Sequence, residues 1–75
     1  MNTDYGFWDQ LAGQWKQLRG NVREAWGKLT DDDLEQAKGS RDKLVGRIQE
    51  RYGITKEEAN SQVDRWAENF REKMR

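Results

Sequence analysis

Residues Leu18–Leu34 read LRGNVREAWGKLTDDDL, and residues Leu44–Ala59 read LVGRIQERYGITKEEA. In the first stretch, with Trp15 just ahead of it, Trp15, Leu18, Val22, Trp26 and Leu29 recur at spacings of three and four. That recurrence marks one face of an α-helix. Gly27 stands where a helix stops with a left-handed residue. Thr30 offers an N-cap hydroxyl to a new helix, and Asp31, Asp32 and Asp33 occupy the first turn, where carboxylates oppose the helix dipole. Leu29 and Leu34 hold the two positions of a hydrophobic staple.

The second stretch repeats each device. Leu44, Ile48 and Tyr52 form the apolar face, Gly53 the stop, and Thr55 the cap, with Glu58 completing a capping box. Ile54 and Ala59 take the staple positions. The offset is 26 residues from Gly13/Gly39 to Gly27/Gly53 and 25 afterwards, because the second turn has no counterpart of Lys28. Two copies of one helix–turn–helix hairpin are therefore expected. The fold class predicted is all-α: a compact four-helix array of pseudo-repeated hairpins, SAM-like or helix-hairpin-helix-like. The helices should cover about 14–27, 31–38, 41–52 and 56–71, with Gly39 ending the second and Ser40 capping the third. Ala59, Val63, Trp66, Ala67 and Phe70 line the last helix. Gly20 and Gly46 lie inside helices, where glycine costs about 0.8–1 kcal/mol relative to alanine. They predict a close crossing of the two first helices at a point where no side chain fits.

Seventy-five residues make one domain, residues 1–75. Residues 1–13 are expected to dock partly, as a frayed turn carrying Phe7, Trp8 and Leu11, and residues 72–75 to form a mobile tail. Charged side chains are 37% of the chain and mean hydropathy is −1.29, yet eight aromatic residues argue for a packed core. Fourteen basic and 14 acidic residues cancel overall. Residues 1–37 carry four basic and seven acidic groups, and residues 38–75 carry ten and seven, so the halves are −3 and +3. No apolar run exceeds two residues, so no signal peptide or membrane span is expected, and the chain is read as a cytoplasmic monomer.

Several chemistries lack their residues. Without Cys or His there is no thiolate or imidazole zinc site, and neither the commonest general base nor the strongest nucleophile is present. Ser40 and Ser61 stand outside any nucleophile elbow, and no glycine-rich phosphate loop occurs. "TDDDLE" alternates carboxylates at Asp31, Asp33 and Glu35, but the central glycine and distal glutamate of a calcium loop are missing. Helix capping explains those acids better. The chain is expected to be no enzyme and to need no metal or cofactor.

Two basic stripes remain. Lys43, Arg47 and Arg51 fall at i, i+4 and i+8 of the third helix, and Lys16, Arg19 and Arg23 make a similar row on the first. On paired hairpins such rows suit a nucleic-acid module, in which backbone amides of a turn hold a phosphate. The zero net charge, and turns with one glycine rather than two, favour a solvated, salt-bridged face instead. Trp15, Trp26 and Trp66 read as core. Trp8 falls outside the pattern, and beside Phe7 an exposed Trp8 would form a partner-docking patch.

Together, "WKQLRGNVREAWG" (15–27) and "WGKLTDDDLEQAKGSRDKLVGRIQERYG" (26–53) resemble the CsbD-like family of small bacterial stress proteins. The G-K-L-T-x-x-D segment is distinctive, and Arg19 and Arg23 stand where the family's K-G-x-[VI]-K-E pattern has lysine. The resemblance covers about residues 15–66. It implies a compact helical fold and production under general stress, and it carries over no catalytic residue. The expected function is that of a non-enzymatic stress-response protein acting through its charged surface on client proteins or an unidentified protein partner. The alternative is nucleic-acid binding through the two stripes. No membrane partner is expected.

Overall fold

A computed structural model describes residues 4–74, and all regular structure among them is helical. Five helices follow in order: α1 (Asp4–Gly13), α2 (Trp15–Ala25), α3 (Asp31–Ala37), α4 (Arg41–Tyr52) and α5 (Lys56–Met74). The Cα radius of gyration is 11.5 Å. A folded chain of this length needs about 11 Å, so the chain is packed as tightly as a folded domain.

One stripe builds the first wall of the core. Phe7, Leu11, Trp15, Leu18 and Val22 recur at three and four residues straight through Gln14, the single residue between α1 and α2, and all five are buried. Leu29, Leu34 and Ala37 come from the first turn and α3, Leu44, Val45 and Ile48 from α4, and Ala59 and Val63 from α5. Tyr52, Ile54, Trp66, Ala67 and Phe70 pack half-buried against this centre.

The expected array has four helices; there are five. Residues 4–13 make a full helix rather than a frayed turn, because α5 covers its aromatics, Trp66 meeting Trp8 and the Arg71 guanidinium lying 4.5 Å from the Phe7 ring centre. Trp8 packs on Trp66 with centroids 6.2 Å apart, Trp66 stacks on Phe70 at 5.4 Å, and Phe7 meets Trp8 edge-on. The conditional patch at Phe7 and Trp8 is therefore overturned: they are only 8% and 7% exposed. α5 also runs past Phe70 and is helical through Met74, while Arg75 lies outside the described residues.

The two turns, written alike, fold differently. Gly53 is left-handed (φ 63°) and its N–H donates to Gln49 O, as a helix-stopping glycine should. Gly27 is not left-handed; α2 ends at Ala25, and Trp26 swings to φ −130° as its indole is buried. The Trp26 indole N–H then donates to Gln62 Oε1 on α5 at 2.9 Å. Lys28, the extra residue of the first turn, donates its backbone N–H to Tyr52 Oη (3.1 Å) and places its ammonium 5.2 Å from the Tyr52 ring centre. The insertion therefore links the first turn to the end of α4.

The close helix approach expected at Gly20 and Gly46 also lies elsewhere. A Cβ at either position would meet nothing within 4 Å. A Cβ on buried Gly39 would lie 2.5 Å from the Cα of Ala12, and Gly39 has φ +79°. The tight spot is thus where α1 crosses the α3–α4 turn, and both space and backbone conformation demand glycine there.

Candidate functional site

α3 is short and acidic, DDDLEQA, and it lies between the two arginine-bearing helices. Its N-terminus is fixed by a reciprocal capping box. Asp33 N–H donates to Thr30 Oγ1 (3.1 Å), and Thr30 N–H donates to Asp33 Oδ2 (3.0 Å). At the second turn only the forward half recurs: Glu58 N–H donates to Thr55 Oγ1, while the Glu58 carboxylate accepts from the Gln62 amide. Trp15 holds α3 from below, its indole N–H donating to Leu34 O across 2.6 Å in the buried core.

The arginines of both predicted stripes close onto this helix. From α2, Arg19 donates to Glu35 Oε1 at 3.1 Å and Arg23 to Asp31 Oδ1 at 2.9 Å. From α4, Arg51 grips Asp33 with two bonds, Nε to Oδ2 at 2.7 Å and Nη2 to Oδ1 at 3.1 Å. Arg47 stands 3.5 Å from the same carboxylate, 3.3 Å from Glu50, and donates to the side-chain oxygen of Gln36. Such fork-to-carboxylate pairs are the strong form of the ion pair. The two rows thus converge on α3 from opposite sides, and their charge is largely answered within the protein.

Asp33 is the centre of the arrangement. It is the one charged side chain fully buried among the described residues. The hydrogen bond from Arg51 draws its carboxyl down from 3.8 to about 2, against the opposing effect of burial. The bonds from Thr30 work in the same direction. The sequence predicts Asp33 only as a first-turn carboxylate that caps α3 and opposes its dipole, and does not foresee the grip of Arg51. The signal was the i, i+3 spacing from Thr30, with Arg47 and Arg51 one turn apart on α4.

Of the six basic residues singled out from sequence, Lys16 and Lys43 have no ion-pair partner among the described residues. Lys43 borders an open groove of 370 Å³ with Gln36, Gly46, Arg47 and Glu50. Lys16 borders a second, of 430 Å³, on the α1–α2 side of α3. Phe7 and Trp8 belong to the core and join neither. The aspartates of α3 do not converge: Asp31 turns to Arg23, Asp32 to Gln36 and Asp33 to the arginines of α4. Among the described residues no three His, Cys, Asp or Glu side chains gather in a way that could hold a metal ion, and no helix is long and apolar enough to cross a membrane.

These features define a small all-helical domain whose acidic third helix is clasped by arginines from its neighbours. The chain belongs to the CsbD-like family, whose model matches residues 9–61. It is 56% identical over 63 residues to a UPF0337 protein of Pectobacterium atrosepticum, covering 84% of this chain and 91% of that one. It is 55% identical over 58 residues to the UPF0337 protein YjbJ of Escherichia coli (strain K12), covering 77% and 84%. A UPF0337 protein of Pseudomonas aeruginosa is 54% identical over 55 residues, covering 73% and 85%. Phe7, Trp8, Trp66 and Phe70, the rings that join α1 to α5, fall outside the segment matched by the family model.

Proposed function

We propose that this chain is a non-enzymatic stress-response protein of the cytoplasm that acts stoichiometrically, through its folded and charge-balanced surface, on client proteins. The observation that carries the reading is the fate of the arginine stripes. Arg19, Arg23, Arg47 and Arg51 are each engaged by a carboxylate of α3. A surface in which cations are answered by nearby acids stays hydrated, and it does not present the continuous positive face that a nucleic-acid partner requires. The absence of cysteine suits a protein made when oxidants are abundant.

The test is protection of a heat-labile or drying-labile enzyme at molar ratios near one. Protection beyond that given by an unrelated charged helical domain at equal mass supports the reading; equal protection by the two removes it. Fluorescence anisotropy with labelled duplex and single-stranded DNA tests the alternative. Tight binding lost steeply between about 50 and about 200 mM salt would replace client protection by phosphate-backbone recognition. A Lys43/Arg47/Arg51 triple-alanine variant should then lose it.

A further inference from the structure

The groove beside Lys16 departs from the balance seen over the rest of α3. It runs between the start of α2 and the end of α3 and is lined by Ala12, Trp15, Lys16, Arg19, Glu35 and Lys38. Three cations face one carboxylate there, a local excess of two positive charges. Glu35 is shared: Arg19 donates to Oε1 at 3.1 Å, and the Lys38 ammonium lies 3.7 Å from Oε2. Lys16 is exposed and has no carboxylate partner among the described residues.

The backbone at this groove is also unusual. Lys38 is the one non-glycine residue with positive φ (43°) among those described, at a C-cap position that favours glycine or asparagine. It directly precedes Gly39, which α1 presses through Ala12. The end of α3 is therefore anchored from below, and the Lys38 cation is carried on a backbone with little freedom. Trp15 is fixed by its indole bond to Leu34 O, so the floor is rigid as well.

From this geometry we infer that the Lys16–Arg19–Lys38 groove is a binding site for a small polyphosphate anion, of the pyrophosphate or nucleotide-diphosphate class. The Glu35 carboxylate marks where one anionic group is held between Arg19 and Lys38. A phosphoryl group takes that place by competing with Glu35, and the next phosphoryl along the chain meets Lys16. Arginine suits this exchange because its planar fork matches carboxylate and phosphate alike. The volume, 430 Å³, is in the range of small-molecule sites. A single phosphate leaves the third cation unanswered, so the ligand that fits carries at least two phosphoryl groups. It is independent of client protection.

The test is a titration of the whole protein with sodium pyrophosphate in low-salt buffer, followed by amide and indole N–H chemical shifts. Saturable shifts should concentrate at Lys16, Arg19, Glu35, Lys38 and the Trp15 indole. Chloride at matched ionic strength should not reproduce them. Lys16→Ala, at an exposed position that leaves the core intact, should weaken binding about 2- to 5-fold. Glu35→Gln, which removes the internal competitor, should strengthen it by a similar factor, and Lys43→Ala in the other groove should change nothing. AMP, ADP and pyrophosphate as separate arms show what is recognised. ADP and pyrophosphate binding alike, both above AMP, identifies the phosphate chain; ADP well above pyrophosphate adds the nucleoside to the same site. Non-saturable shifts, equal shifts with chloride, or a Glu35→Gln variant that binds no better would overturn the assignment.

Discussion

Replacing glycine by alanine at three positions should give opposite results, and the signs follow from what surrounds each Cα. Gly20 and Gly46 lie mid-helix, in α2 and α4, and a Cβ at either meets nothing within 4 Å. Glycine there leaves the unfolded chain freer without any packing in return, so Gly20→Ala and Gly46→Ala should each stabilise by about 0.5–1 kcal/mol. For a domain of this size, 1 kcal/mol moves the melting temperature by about 4–8 °C, so the double variant should melt several degrees above the parent. Gly39 is the counter-case. An added Cβ would come within 2.5, 2.8 and 2.9 Å of the Cα, Cβ and N of Ala12, all parts of α1 that cannot rotate away, and the residue has φ +79°. Overpacking and left-handed strain together should destabilise Gly39→Ala by about 2–4 kcal/mol. Urea and thermal unfolding followed by circular dichroism at 222 nm measure all three. A loss of stability in Gly20→Ala or Gly46→Ala would refute the open surfaces described above. A neutral Gly39→Ala would refute the crossing of α1 over the α3–α4 turn.

Further outcomes follow from Asp33 and the tryptophans. Because the folded protein holds Asp33 near 2, below its ordinary 3.8, the unfolded state binds more protons between those values. The stability from Asp33 is therefore complete above about pH 5 and is lost as pH falls through 3.8 towards 2. Discounted for the solvent that reaches Arg51, it amounts to about 1–2 kcal/mol, and Asp33→Asn should flatten that part of a stability-versus-pH curve. Arg51→Ala should lower the midpoint of urea unfolding, since it strips both hydrogen bonds of the guanidinium from a buried carboxylate. Arg47→Ala, which leaves the Arg51 fork in place, should cost less. Trp15→Phe loses a buried bond to Leu34 O, whereas the Trp8 indole nitrogen is buried with no hydrogen-bond partner among the described residues. Trp15→Phe should thus cost about 1–3 kcal/mol and Trp8→Phe markedly less; equal losses by calorimetry would contradict the assignment.

Much of the helical layout was legible because it rests on local rules. The bounds of α4 match those expected, and Thr30, Ser40 and Thr55 each accept from the backbone N–H three residues on. What escaped was set by tertiary contact. Gly27 carries the same local signal as Gly53, but the burial of Trp26 against α5 turns the chain before a left-handed stop can form. α1 was obscured by Gly6 and Gly13, two helix breakers, although its apolar positions continue in register into α2. The basic rows were visible as rows. Their engagement was not, since an i, i+4 pattern says which residues share a face and nothing about the acids opposite. Arg51 and Asp33 are 18 residues apart, so only the α3–α4 turn brings them together.

The rings shared by α1 and α5 also set a schedule. Phe7 and Trp8 are synthesised before α5, and the surface that covers Trp8 includes Trp66, 58 residues later in the chain. At about 5–20 residues per second, that partner is synthesised roughly 3–12 seconds afterwards. During that interval the α1 aromatics lack their α5 cover, and the nascent chain offers an apolar face to whatever holds emerging polypeptides. The helix that closes over α1 is α5, so the aromatic cluster cannot close until Trp66 has emerged.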